Sequence, residues 1–215
     1  LWGLFRKMVI ADRLAAYVSQ VYASPEMYGG STLFLATFFF AFQIYCDFSG
    51  YSDIAIGSAH ILGFRLMQNF NLPYLASSIK DFWHRWHISL STWFADYVYK
   101  PLSGNRTSTA RWMFNIMAVY LVSGLWHGAN WTFITWGGLF GLFYLVENAV
   151  GGLLRKVGLD DLFDRSKIIH MTKVAVVFIA VLVLWVFFRA GSMTDAAYII
   201  THMFTGWSRI PYLGP

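Results

Sequence analysis

Charged residues and cysteine are scarce in this 215-residue sequence. Asp, Glu, Lys and Arg make up only 13% of it, while 57% of the residues are hydrophobic. A soluble domain carries about 25% charged residues, so this composition excludes an ordinary soluble domain and predicts a membrane protein. The single cysteine, Cys46, excludes an intrachain disulfide and a cysteine-based metal site. The net charge of +5 is spread over short segments between apolar runs, so we predict no nucleic-acid partner.

Charge is absent altogether from Trp112–Val146, a run of 35 residues. As one helix it would be about 50 Å long, against a hydrocarbon core of about 30 Å. We therefore predict that it folds back at Gly124–Asn130 into two arms, Trp112–Ser123 and Trp131–Val146. His127 lies at this fold, and a titratable side chain at membrane depth indicates a functional site. The alternative is that His127 bonds a backbone carbonyl left open by the break.

Apolar runs and helical spacing predict four further helical segments. They are Leu1–Tyr22, Met27–Cys46, Ser77–Tyr99 and Ile168–Phe188. The second and fourth are about 20 residues long, which is enough to cross a bilayer. A break is predicted at Asp47–Asp53, with Ser52 or Asp53 capping a second helical piece, Ile54–Phe64. Gly151–Lys167 is predicted to be a charged loop.

Aromatic residues recur at helical intervals along Ser77–Tyr99, which follows a predicted loop at Asn69–Pro73. The stripe consists of Phe82, Trp86, Leu90, Trp93 and Tyr97. This spacing predicts one continuous amphipathic helix that lies at the interface or re-enters the bilayer, with an Asp81–Arg85 ion pair. The stripe is more typical of packing than of a substrate cradle. His87 on this helix is, on spacing alone, more typical of a solvated histidine.

Basic residues flank the uncharged run on both sides. They are Lys100, Arg106 and Arg111 before it, and Arg155, Lys156, Arg165 and Lys167 after it. Because basic loops tend to stay in the cytoplasm, this pattern predicts that both ends of the run are cytoplasmic. His127 then points toward the outer side of the membrane.

Three polar clusters occur in apolar surroundings, at Asp47–Asp53, Asp81–Ser91 and Ser123–Asn130. His84 and His87 are three residues apart, but no third ligand is nearby, so no metal site is predicted. A neutral histidine fits a general base that takes the proton of a hydroxyl as it attacks an acyl donor. His127 suits this role, His87 could orient the acceptor, and Asn130 or the N–H groups near Gly128 could stabilise the oxyanion.

For Asp47 and Asp53, helix capping is favoured over an acid–base pair. The residues predicted to bind substrate are nonetheless taken from all three clusters. They are Trp86, Ser89, Ser91, Trp126, Asn130, Trp131, Asp47 and Asp53.

Four motifs in this order resemble the membrane-bound O-acyltransferases, and most closely the branch of bacterial alginate O-acetylation proteins. The motifs are YCDFSGYSD at Tyr45–Asp53, NFNLPY at Asn69–Tyr74, DFWHRWHISLS at Asp81–Ser91 and WHGANWTF at Trp126–Phe133. The resemblance implies an all-α, polytopic membrane protein with broken and re-entrant helices. It places the essential histidine of the family at His127 and the second at His87.

The resemblance also implies a reaction, its partners and its location. Residues 1–215 would form a single membrane-embedded acyltransferase domain that lacks the N-terminal and C-terminal parts of the full protein. It would move an acyl group, acetyl in this branch, from a cytoplasmic thioester donor across the bacterial inner membrane to hydroxyls of an exported polysaccharide such as alginate. The donor would be acetyl-CoA or another acyl thioester, with no permanently bound cofactor. A periplasmic acetyltransferase and a cytoplasmic acyl carrier are the implied protein partners.

Two positions depart from the family pattern. Ser103 stands where a glycine is usual, and Phe140 stands where many relatives have a histidine, which leaves any third-histidine role in doubt. Three other functions stay open. The broken helices also fit a transporter or flippase of a small solute or lipid-linked intermediate. The second alternative is D-alanyl transfer to teichoic acids, which occurs within the family. The third is a non-catalytic scaffold for a periplasmic transferase.

Overall fold

The computed structural model describes residues 1–102, 104, 107–158, 166–207 and 212. This part of the chain is helical and contains no strand, which confirms the all-α class. The chain divides into two compact units, Leu1–Gln68 with Leu182–Pro215, and Asn69–Val181. Three residues named in the sequence analysis lie outside the described residues: Ser103, Arg106 and Arg165.

Nine helices are described in chain order within these ranges. They are α1 (Trp2–Leu4), α2 (Asp12–Ala23), α3 (Gly30–Ile61), α4 (Ile79–Arg85), α5 (Ile88–Phe94), α6 (Thr109–His127), α7 (Trp131–Lys156), α8 (Lys167–Arg189) and α9 (Met193–His202). A π-helical segment joins α1 to α2 and another follows α5. Three of the nine, α3, α7 and α8, are long and apolar enough to cross a membrane. The predicted span at Ile168–Phe188 is confirmed by α8.

Helix α3 runs without interruption through the segment where a break was predicted. Asp47–Asp53 is helical, so the predicted capping role of Ser52 or Asp53 is wrong. Asp53 instead accepts a hydrogen bond from Arg6 at 2.8 Å, and Lys7 lies against Asp47. The carboxylates are neutralised by cations from the first helical segment, so they need no helix end to satisfy them.

Glycines allow this first helical segment to lie directly on α3. A Cβ atom on Gly3 would come within 2.5 Å of the Gly50 carbonyl oxygen, and one on Gly50 within 2.8 Å of the Gly3 oxygen. Such backbone contact is typical of helix pairs in membranes, where small residues let helices approach closely. The ion pairs of Arg6 and Lys7 therefore flank a close helix crossing.

The second unit is built on a hairpin of α6 and α7, as the uncharged run predicted. The turn is shorter than expected, because α6 continues through Gly124 to His127 and only residues 128–130 are non-helical. Asn130 begins α7 by accepting a hydrogen bond from the N–H of Thr132 at 3.2 Å. Helix α7 runs on to Lys156, so the prediction of a loop from Gly151 is wrong for the first six residues.

The predicted continuous helix Ser77–Tyr99 is wrong. It is broken at Trp86 and His87, where His87 has φ +43° and ψ +54° in the left-handed region. The aromatic stripe consequently splits, with Trp86 only 4% exposed and Tyr97 67% exposed. The predicted ion pair between Asp81 and Arg85 is confirmed at 2.8 Å. The break arises from bonds to a distant loop, which the helical spacing could not reveal.

Candidate functional site

His127 is the last residue of α6 and lies among aromatic rings. Its imidazole makes edge contacts with Trp126 at 4.9 Å and Trp136 at 5.2 Å between ring centroids, and it stacks on Phe133 at 6.3 Å. Gly128 follows directly, and a Cβ there would meet the Phe133 ring at 2.7 Å. A glycine is therefore required beside His127 for the hairpin to close around the ring.

His87 lies within electrostatic range of His127 although 40 residues separate them in the sequence. Burial first, and then the electrostatic influence of His127, lower the pKa of His87 from 6.5 to about 4. The His87 ring is therefore neutral near pH 7 and can accept a hydrogen bond or a proton. The structure thus brings together the two histidines that the sequence singled out separately.

A cavity of about 580 Å³ opens within the second unit, between α4–α5 and the α6–α7 hairpin. Its lining includes Lys80, Trp83, Leu90, Ser91, Tyr120 and Ser123. Ser123 lies one helical turn before His127, and Ser91 donates its N–H to the carbonyl of His87 at 3.0 Å. Neither histidine is among the lining residues. The cavity wall therefore passes within one turn of each of them.

The cavity wall is mostly apolar, with several aromatic rings, but carries a few polar groups. The indole N–H of Trp83 is buried and has no hydrogen-bond partner among the described residues. Lys80, His84 and Asn148 add polar groups elsewhere on the wall. A volume of this size with a few polar groups is typical of a small-molecule site, where ligand cavities run from about 300 to 1,000 Å³.

Comparison with protein families gives a decisive match. Residues 2–188 match the model of MBOAT, the membrane-bound O-acyltransferase family. The chain belongs to this family. The resemblance of the four motifs is thereby confirmed, since all of them fall inside the matched range.

Several curated relatives of this O-acyltransferase-family chain are named for acyl transfer. It is 40% identical over 203 residues, 94% of the chain and 37% of the relative, to "Probable alginate O-acetylase AlgI" of Pseudomonas aeruginosa. It is 38% identical over 201 residues, again 94% and 37%, to "Peptidoglycan O-acetyltransferase" of Helicobacter pylori. A "Teichoic acid D-alanyltransferase" of Bacillus subtilis is 38% identical over 106 residues, 46% of this chain and 27% of that protein. The chain spans less than half the length of these relatives.

Within this O-acyltransferase-family chain, the predicted substrate-binding residues fall in different places. Ser91 lines the cavity, whereas Ser89 donates from its hydroxyl to Asn69 at 2.6 Å. Trp86 is a core residue, stacked on Phe82 at 5.6 Å between centroids. Asp47 belongs to the first unit, where Lys7 neutralises it.

The other predicted binding residues lie near the hairpin turn or in the first unit. Trp126 and Trp131 are exposed at the hairpin turn, and Asn130 caps α7. Asp53 pairs with Arg6. Substrate binding by any residue of the predicted set stays a prediction.

Three residues near the site were missed by reasoning from the sequence. Glu147 accepts a hydrogen bond from the N–H of Ile79 at 2.6 Å and so ties α7 to the start of α4. Asn69 bonds the start of α5, and Trp83 faces the cavity. Glu147 could have been noticed as the first charged residue after the uncharged run. Helical spacing places Trp83 on the same face as His87 and Ser91, but that spacing alone did not mark it as a site residue.

The two remaining expectations concern Phe140 and metal ligands. Phe140 is fully buried and stacks on Phe82 at 5.9 Å and on Tyr120 at 6.4 Å between ring centroids. It fills the core behind the cavity with an apolar ring. Within the described residues, no group of three or more His, Cys, Asp or Glu side chains is placed to hold a metal ion.

Proposed function

We propose that this chain forms the transfer site of a multi-pass O-acyltransferase of the bacterial inner membrane. The proposed reaction moves an acetyl group from a cytoplasmic thioester donor, acetyl-CoA or an acylated carrier protein, toward hydroxyls of an exported polysaccharide such as alginate. A periplasmic acetyltransferase is the proposed partner on the acceptor side. The observation that carries the proposal is the meeting of His87 and His127 beside a cavity, in a chain of this family.

The chemistry needs one base and one site for the developing charge. The His127 imidazole takes the proton of the acceptor hydroxyl as its oxygen attacks the thioester carbonyl carbon. The carbon–sulfur bond then breaks, and the imidazolium returns the proton to the leaving thiolate. The products are an ester and a thiol, and atoms and charge balance. His87, neutral near pH 7, orients the acceptor by donating its ring N–H to the hydroxyl oxygen, whose own proton goes to His127.

The cavity supports the donor side of the proposal. A thioester donor of this kind carries both apolar and amide groups, and the wall offers aromatic faces together with the polar side chains of Ser91, Ser123 and Asn148. Lys80 contributes the positive charge that a phosphate-bearing donor requires. Of the lining residues, Ser91 bonds the carbonyl of His87, and Ser123 precedes His127 by one helical turn.

The test measures ester-linked acetyl on the exported polysaccharide of cells that express the full protein with its neighbouring genes. His127→Ala is expected to lower acetylation by about 10²-fold or more, the usual contribution of a general base. His60→Ala is the matched control, since His60 is an exposed histidine in the first unit. Equal amounts of each variant in the membrane are verified by immunoblot.

Two results would contradict the proposal. Acetylation at the wild-type level in His127→Ala would remove the catalytic assignment and favour a transporter or a scaffold. Ester-linked D-alanine in place of acetyl would keep the mechanism but change the acyl group to that of the teichoic acid relatives. Acetyl lost in His127→Ala and retained in His60→Ala is the expected outcome.

A further inference from the structure

The junction between α4 and α5 is tied on both sides to one loop. Before the junction, the N–H of Asn71 donates to the carbonyl of Arg85 at 2.9 Å. After it, the N–H of Ile88 donates to the carbonyl of Asn69 at 3.0 Å. The loop therefore bridges the two residues, Trp86 and His87, at which the helix is interrupted.

The side chain of Asn69 adds a second tie to α5. Its Oδ1 accepts from the N–H of Ser89 at 3.1 Å and from the Ser89 hydroxyl at 2.6 Å. Ile88 and Ser89 are the first two residues of α5, and N–H groups at a helix start have no acceptor within their own helix. Asn69 thus caps α5 from a position 19 residues before its first residue, with its backbone and its amide together.

His87 lies immediately before this capped turn and has a left-handed backbone conformation. L-residues with a bulky side chain rarely adopt positive φ, because the Cβ crowds the following carbonyl. Such a conformation persists where neighbouring bonds determine it. Asn69 bonds Ile88 and Ser89, the two residues that follow His87, and these bonds are suited to hold His87 in its left-handed conformation.

We propose that Asn69 is the positioning residue for His87. By capping α5 it sets the direction in which the His87 imidazole leaves the backbone, and so keeps the ring beside His127. This inference rests on the proposed function, in which these two histidines act together. It also gives Ser89 a structural role in place of substrate binding, because the Ser89 hydroxyl donates its hydrogen bond to Asn69.

The loop has enough other contacts to remain folded without the Asn69 amide. Phe70 packs edge-on against Trp86 at 5.1 Å, and Tyr74 contacts the same ring at 6.1 Å. The Asn71 N–H bond to Arg85 uses only backbone atoms. Removing the Asn69 side chain should therefore loosen the first turn of α5 without releasing the loop.

Asn71 offers a matched control in the same loop. It is the same residue type two positions later, its side chain is exposed, and its contribution to the junction comes from its backbone N–H. Asn71→Ala keeps that bond. Asn69→Asp keeps a side-chain oxygen at position 69 that can accept from the N–H and hydroxyl of Ser89, and the site is only half-buried.

The experiment uses inverted membrane vesicles that contain the full protein, with acetyl-CoA as the varied donor and ester-linked acetyl as product. Asn69→Ala is expected to lower kcat about tenfold or more, since small misplacement of a catalytic group is costly in rate. The KM for acetyl-CoA is expected to stay within about twofold, because donor contacts are unchanged. Asn69→Asp is expected to restore kcat, and Asn71→Ala to match the wild type.

His127→Ala is measured in parallel to separate this inference from the proposed function. An inactive His127→Ala with a fully active Asn69→Ala would overturn the positioning role and leave the proposed function standing. An active His127→Ala would overturn the proposed function itself. Equal losses in Asn69→Ala and Asn71→Ala, or no recovery in Asn69→Asp, would show that the loop matters only for folding.

Discussion

Replacement of Gly137 by alanine tests whether the close packing of α6 on α7 sets the position of His127. A Cβ at Gly137 would lie 2.2 Å from the carbonyl oxygen of Tyr120 in α6. Ordinary contact begins at 3.4 Å, so the two helices must separate by about 1.2 Å. The obstructing atom belongs to a helix backbone, so it cannot move by rotating a side chain.

The separation should reach the candidate site. His127 lies seven residues after Tyr120, about two turns along the same helix. A displacement of about 1 Å at a catalytic group can lower the rate about 10²-fold. Overpacking of this kind also costs roughly 1–3 kcal/mol of stability. We therefore expect Gly137→Ala to lose most acyl transfer while remaining folded in the membrane.

Gly138→Ala is the control for this prediction. The added Cβ would lie 3.4 Å from Cδ2 of Leu121, the flexible end of a side chain, which is ordinary contact. Both variants make the same chemical change in adjacent residues of one helix. Acetylation assays and thermal unfolding in nanodiscs compare them. If Gly137→Ala and Gly138→Ala gave the same activity, the packing argument would be refuted.

Two further predictions concern α4 and His87. Glu147→Ala should lower the free energy of unfolding by about 1–2 kcal/mol, because the Ile79 N–H loses its acceptor. Glu147→Gln keeps an oxygen that can accept this bond, so its loss of stability should be smaller. Thermal unfolding compares the two variants, and equal losses would refute the prediction. The pKa of His87 is lowered from 6.5 to about 4, so the neutral ring is favoured by folding. Protonation of His87 in the unfolded state should therefore leave the free energy of unfolding unaffected above pH 6.5 and lower it as the pH falls from 6.5 toward 4. His87→Gln should make this part of the pH dependence flatter. An unchanged curve of unfolding free energy against pH would contradict the prediction.

The parts of the fold that could be predicted from the sequence depend on local composition. The span at α8 and the α6–α7 hairpin follow from uncharged runs, which must be helical to satisfy their backbone groups in a bilayer. The place of His127 at the tip of the hairpin follows from the glycine and asparagine after it, although α6 extends four residues further than predicted to include it. These features need no knowledge of distant contacts.

The errors arose where bonds connect distant parts of the chain. Asp53 lies in an intact α3 because Arg6, 47 residues earlier, satisfies it. The spacing from Phe82 to Tyr97 fits one helix, but Asn69 and Asn71 hold the junction at His87 open. Local spacing carries no information on either partner. The roles of the candidate site residues stay predictions for the experiments above.

The bond between Ile79 and Glu147 has a consequence for the order in which the protein is made. The two residues are 68 positions apart, and ribosomes add about 5–20 residues per second, so α4 emerges roughly 3–14 s before its acceptor. In lipid an unsatisfied N–H is costly, so until then the start of α4 must remain in contact with water or lipid headgroups. Helix α4 therefore takes its final place only after α7 has been inserted.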